Sequence, residues 1–279
     1  MTLYWKNGKQ KAFTGRTTPL DYVNCTIRKL HGISYDRSTG QKRCNGHWIN
    51  DKLEGENIEM FDSDLNLISI STYRAGILIY SKEYYKDGNI KIEANWAINN
   101  RYNGLVRRYD QKGNLTWDGM YELGLRTGEG IEYWDFQEAG RKVVKKVEGF
   151  WKKGKIDGDG IKIYNNKGVL RFCGRFVDGE KEGVGRQYHW NGAFEFEGTF
   201  KNGKLNMRFV RMFSDMGFVS FEGKYRNGFR SGYGKVYDMD GKLRVFGFFD
   251  GSHAICKKKP YFVRNAEGGL VDCMGRKVY

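Results

Sequence analysis

The chain has 279 residues, 39% of them hydrophobic and 15% aromatic, with 48 Lys and Arg against 33 Asp and Glu for a net charge of +15. That is a globular yet polar composition, and no window approaches the roughly eighteen apolar residues that a membrane-crossing helix needs. Five cysteines (Cys25, Cys44, Cys173, Cys256, Cys273), an odd set without a C-x-x-C pair, argue against a disulfide framework and a zinc site and for free thiols in a reducing compartment.

Residues 1–17 read as a partial repeat. Met1 to Lys9 lack the apolar core of a secretory signal, so the chain is expected to stay inside the cell. Residues 18–43 interrupt the rhythm between Trp5 and Trp48 and are expected to hold an inserted loop or a degraded copy. From 44 to 251 a cluster of aromatic and glycine residues recurs, anchored at Trp48, Tyr73, Trp96, Tyr121, Trp151, Phe176, Phe200, Tyr225 and Phe249, with steps of 25, 23, 25, 30, 25, 24, 25 and 24. A fixed period of this length marks a repeat array. The copies at Tyr73 and Trp96 are worn, with Tyr80 and Asn103 standing where a later glycine belongs.

The stretch 172–196 displays one unit. Phe172, Gly174 and Phe176 share one face of a strand, Asp178-Gly179 supplies a hairpin turn, a second strand runs from Gly183 to Tyr188, and His189-Trp190-Asn191-Gly192 turns again. The Asp-Gly or Asn-Gly turn recurs at Asn202-Gly203, Asn227-Gly228 and Asp250-Gly251, and Asn7-Gly8 lies near the start. Glycine inside a strand weakens it unless a neighbouring ring covers the bare backbone, so the rings are expected to form a continuous core between stacked hairpins. The step of 30 before Trp151 implies a longer turn around 135–140. A basic run follows, with Arg141, Lys142, Lys145, Lys146, Lys152, Lys153 and Lys155 as a candidate anionic-surface patch. Residues 252–279 lose the anchor and read as a C-terminal cap or tail. The expected fold is all-β: an elongated, single-layer, twisted antiparallel sheet of about nine tandem hairpin repeats.

Glu148-Gly149-Phe150-Trp151-Lys152-Lys153-Gly154-Lys155-Ile156-Asp157-Gly158-Asp159-Gly160 resembles the MORN repeat, as do the copies anchored at Tyr121, Phe176 and Tyr225. The Trp48 copy departs at Asp51 and Asn57, and the Phe200 copy at Met207 and Phe209. The resemblance implies a repeat scaffold, cytoplasmic or cytoskeleton-associated, in which any catalysis would reside in another domain.

Chemistry-bearing patterns are sparse. His31, His47, His189 and His253 are scattered without ligand spacing, and His189 beside Trp190 reads as structural. Gly158-Asp159-Gly160 and Gly183-Val184-Gly185 lack the Lys-Ser/Thr of a phosphate loop, and Asp238-Met239-Asp240-Gly241 has Leu243 and Phe249 where a calcium loop requires Gly and Glu. No catalytic, cofactor or metal residue is assigned. The leading expectation is a non-enzymatic scaffold or assembly subunit that binds protein partners through its repeat surface. The alternatives are peripheral binding to anionic phospholipid through the basic patch and an antitoxin or immunity-type inhibitory role. Nucleic-acid binding, with Phe150 and Trp151 stacking on bases, ranks below these.

Overall fold

The computed structural model describes residues 2–4, 11–17, 29–35, 41–97, 99–134, 144–251, 253–255, 262–264 and 270–272. Most of the 18–43 segment, the Asn7-Gly8 turn, the long turn at 135–140 with Arg141 and Lys142, and most of the tail lie outside them. Two compact units are present, Met1–Val143 and Val144–Tyr279. The first contains β1 (Thr2–Tyr4), β2 (Lys11–Thr17), β3 (Lys29–Tyr35), β4 (Lys42–Ile49), β5 (Lys52–Leu53), β6 (Gly55–Phe61), β7 (Leu67–Arg74), β8 (Ile77–Tyr84), β9 (Ile90–Trp96), β10 (Tyr102–Tyr109), β11 (Leu115–Glu122) and β12 (Leu125–Tyr133). The second contains β13 (Lys145–Lys152), β14 (Lys155–Ile156), β15 (Gly158–Tyr164), β16 (Leu170–Val177), β17 (Glu180–Tyr188), β18 (Phe194–Lys201), β19 (Lys204–Leu205), β20 (Met207–Phe213), β21 (Val219–Arg226), β22 (Phe229–Tyr237), β23 (Leu243–Asp250), β24 (His253–Ile255), β25 (Phe262–Arg264) and β26 (Leu270–Asp272). The fold is all-β, a single antiparallel layer of hairpins chained head to tail within each unit. Among the described residues there is no helix, and so none long and apolar enough to cross a membrane.

The first turn of a repeat has two residues with positive φ, as at Lys153-Gly154, Asp178-Gly179, Asn202-Gly203 and Asn227-Gly228. This is the turn whose twist matches a right-handed hairpin. Asp178 tolerates the left-handed region through its short polar side chain, whereas Leu123 and Lys153 hold φ 49° against their preference. Asp250 differs from the expected turn position: it stays in β23, paired with His253. Neighbouring turns brace one another. Gly179 N donates to Ile156 O, Gly203 N to Lys181 O and Gly228 N to Leu205 O. The amides of Ala75, Asp178 and Asn202 donate to the carboxylates of Glu54, Asp157 and Glu182 one repeat back. At the second turns Asp110, Asn165 and Asp238 each accept two backbone amides on one side-chain oxygen. His189 Nε2 donates to the Phe213 carbonyl at 2.8 Å, which ties one repeat to the next.

Cross-strand pairing lines up one residue per strand. In the first unit the line runs Ile58, Ser71, Ser81, Ala94, Val106, Gly119, Gly130. In the second it runs Ile161, Gly174, Gly185, Gly198, and again Val210, Gly223, Gly234, Gly247. Where glycine faces glycine, the ring four residues before the anchor fills the space: a Cβ on Gly119 would lie 2.7 Å from Trp117 Cζ2, and one on Gly174 2.9 Å from Phe172 Cζ. The anchor packs edge-on against that ring, with centroids 5.9 Å apart for Trp117–Tyr121, 5.6 Å for Phe172–Phe176 and 5.5 Å for Phe221–Tyr225. In the worn copies Ser71, Ser81 and Ala94 replace glycine. Trp96 Nε1 donates to the buried Ser81 hydroxyl at 2.9 Å and satisfies it.

Candidate interaction surface

Period-two alternation gives each unit a ring face and an outer face. In β11 Trp117, Gly119 and Tyr121 are buried while Asp118, Met120 and Glu122 point the other way. The anchors sit on the ring face: Tyr121, Trp151, Phe176, Phe200 and Phe249 are buried, and Trp48, Tyr73, Trp96 and Tyr225 are half-buried. Trp151 is therefore core, and of the two rings considered for base stacking only Phe150 is exposed. Two repeat types share this face, a distinction the sequence reading missed. After Tyr121, Phe176 and Tyr225 a cation five residues on covers the buried ring: Arg126 over Trp117 at 4.0 Å, Lys181 over Phe172 at 3.9 Å and Arg230 over Phe221 at 4.5 Å. After Trp48, Trp151 and Phe200 that position holds Leu53, Ile156 or Leu205, and Ile58, Ile161 or Val210 stands in the register line. The signal was present as basic-versus-aliphatic residues at one fixed offset from the anchor.

The outer face carries ladders of opposite charge in direct register. Lys82, Glu93, Arg107 and Asp118 follow one another across β8 to β11, with Lys82–Glu93 at 2.8 Å and Arg107–Asp118 at 3.4 Å. In the second unit Arg186–Glu197 and Arg211–Glu222 each close at 2.7 Å. The Tyr237 hydroxyl, together with Arg211, holds the Glu222 carboxyl below its usual range. Burial and the hydrogen bond to Glu222 push the Tyr237 phenol up to about 12, and Tyr164 reaches about 12 in the same way through Glu148. Beside these ladders lies an apolar series: Leu105 and Met120, paired across β10 and β11, in the first unit; Phe150, Val184, Phe209 and Tyr233 in the second. Their exposures run from 40% at Leu105 to 61% at Val184.

The basic run does not form one patch. Lys145 and Lys152 open and close β13, and seven steps of about 3.3 Å put about 23 Å between them. Lys145 pairs with Glu148 at 3.2 Å and Lys146 is half-buried, while Lys152, Lys153 and Lys155 gather, exposed, around one hairpin turn. Among the described residues no group of three His, Cys, Asp or Glu side chains has metal-holding geometry. Burial pushes the Cys44 thiol up to about 11, which keeps it protonated and unreactive near neutral pH. A groove of about 310 Å³ in the first unit is lined by Tyr85, Lys91, Tyr102, Arg108 and Tyr109 among others.

No family model matches the chain, and no curated protein does. Among solved structures it is weakly similar to the TcdB2-TccC3 crystal structure and to the TcdB2-TccC3-Cdc42 crystal structure, each at 12% identity and TM-score 0.21. A third, TcdB2-TccC3 without its hypervariable C-terminal region, has 11% identity and TM-score 0.19. The first two matches cover 96% of this chain but 16% of those much longer chains, and scores this low carry nothing about fold or function.

Proposed function

We propose that the chain is a non-enzymatic, MORN-like repeat scaffold that binds a protein partner along the outer face of its hairpin array. The observation that supports this reading is the exposed apolar residues of each unit, Leu105 and Met120 in the first and Phe150, Val184, Phe209 and Tyr233 in the second, one per repeat, set beside in-register ion pairs. Apolar side chains are costly to leave in water, and flanking charge pairs supply register and selectivity to a partner that covers them. Affinity purification of the native protein, with identification of what co-purifies, tests the reading. A stoichiometric partner lost in Met120→Asp and Val184→Asp, with far-UV circular dichroism and melting temperature unchanged, is the expected outcome. A partner-free protein, or capture indifferent to both substitutions, overturns it.

A second reading is favoured by the exposed turn that gathers Lys152, Lys153 and Lys155, none of which forms an ion pair among the described residues. Each lysine near an anionic lipid surface is worth about 1 kcal/mol. Sedimentation with phosphatidylserine vesicles at low salt, lost on neutralising the three lysines, would carry it; no sedimentation at low salt removes it.

A further inference from the structure

The same lattice position can be compared in three repeats of this chain. Each register shift near the second turn leaves one residue unpaired five positions before the anchor, a bulge that re-aims its side chain. That residue is Thr116, Arg171 or Ser220 in the copies anchored at Tyr121, Phe176 and Tyr225. The cation over the buried ring is Arg126, Lys181 or Arg230. The side chain eleven positions after the anchor is Glu132, Gln187 or Val236. In the first copy the charges cancel, because Arg126 pairs with Glu132 at 3.4 Å. In the Phe176 copy the carboxylate is replaced by an amide, Lys181 Nζ donating to Gln187 Oε1 at 3.2 Å, and Arg171 stands next to Phe172, the register partner of Gln187.

Among the described residues neither cation closes an ion pair, and the charge of Glu195 offsets Lys181 only in part. Arg171 Nη1 is buried and has no hydrogen-bond partner, although a buried donor left unmade is costly. Its guanidinium lies 4.8 Å over the Trp190 ring, which orients it. Burial is the first cause that lowers the Lys181 ammonium from its usual value, and repulsion from Arg171 is the second. Glu195, on the facing strand, acts in the opposite direction on Lys181 but makes no ion pair with either cation. The ring neighbours Phe172 and Phe200, 3.9 and 5.2 Å from Lys181 Nζ, offer π-faces and no negative charge.

We infer that Arg171 and Lys181, on the ring face of the Phe176 repeat, form a binding site for a phosphate-type oxyanion, with Gln187 beside it and Trp190 walling one side. A tetrahedral oxyanion would accept from Arg171 Nη1 and from Lys181 together. It would supply the negative charge that Glu132 supplies in the first unit. Trp190 is 68% exposed, so the residue that covers the Arg171 guanidinium itself borders solvent.

The test is calorimetric titration of the full chain with inorganic phosphate at pH 7, with chloride and acetate at equal ionic strength as controls. Phosphate should bind in preference to both, and Arg171→Gln and Lys181→Gln should each weaken it by about tenfold, the loss of one charge-assisted hydrogen bond. Gln187→Glu should abolish binding while leaving the fold intact, because it installs the carboxylate that the first unit already carries. Arg186→Gln, on the outer face, should change nothing. Phosphate indistinguishable from chloride, or full binding retained in Gln187→Glu, overturns the assignment.

Discussion

At the scale of single residues, the strained positions are those where the repeat lattice demands a conformation the local residue resists. Leu123 sits at φ 49° in a turn whose equivalents in β18–β19 and β21–β22 are Asn202 and Asn227. Its side chain is 52% exposed, so it gains little by being leucine. Leu123→Asn is expected to raise stability by roughly 0.5–1 kcal/mol, read as an increase in the denaturation midpoint. The two carboxylate-bound tyrosines make a pH prediction. Tyr164 and Tyr237 titrate at about 12 in the fold against 10 for an ordinary phenol, so between those values the folded chain keeps protons that the unfolded chain has lost. Their contribution is complete below pH 10 and disappears as pH rises through 12. Urea melts at pH 9, 10, 11 and 12 should show that decline, and Tyr164→Phe with Tyr237→Phe should flatten it. The carboxylate partners were not legible in sequence, because Glu148 and Tyr164 meet only when two strands pair.

At the scale of elements, a hairpin is held by a ring over two bare backbones. A Cβ on Gly174 would fall 2.8 Å from Gly185 Cα as well as against Phe172. Gly174→Ala is therefore expected to destabilise by about 1–3 kcal/mol, the usual cost of overpacking a full core. Because stability in a repeat array is mainly a nearest-neighbour sum, faster hydrogen exchange should be confined to β15 through β18. Equal loss of protection in β7 to β10 would contradict this. The turn pairs Asp178-Gly179, Asn202-Gly203 and Asn227-Gly228 were readable directly, since their chemistry is local. Which ring covers which glycine was not. The anchors were the obvious candidates, yet the covering ring stands four residues earlier, a choice set by cross-strand register.

At the scale of the whole molecule, function is argued from surfaces that exist only once strands are paired. Within each unit the outer-face series, tested by Met120→Asp in the first and Val184→Asp in the second, brings together residues of different strands, and the Lys145 to Lys155 run, continuous in sequence, is divided by the length of β13. The sequence by itself determined the period, the hairpin unit, the type of turn and the all-β layer, because each follows from spacing, glycine and the alternation of side chains along a strand. The tertiary structure alone decided which ring each cation covers, the charge ladders and the placement of Arg171 near Lys181. Those depend on which residues stand opposite one another. Register is a property of paired strands, and a one-residue slip would exchange the ring face for the outer face throughout.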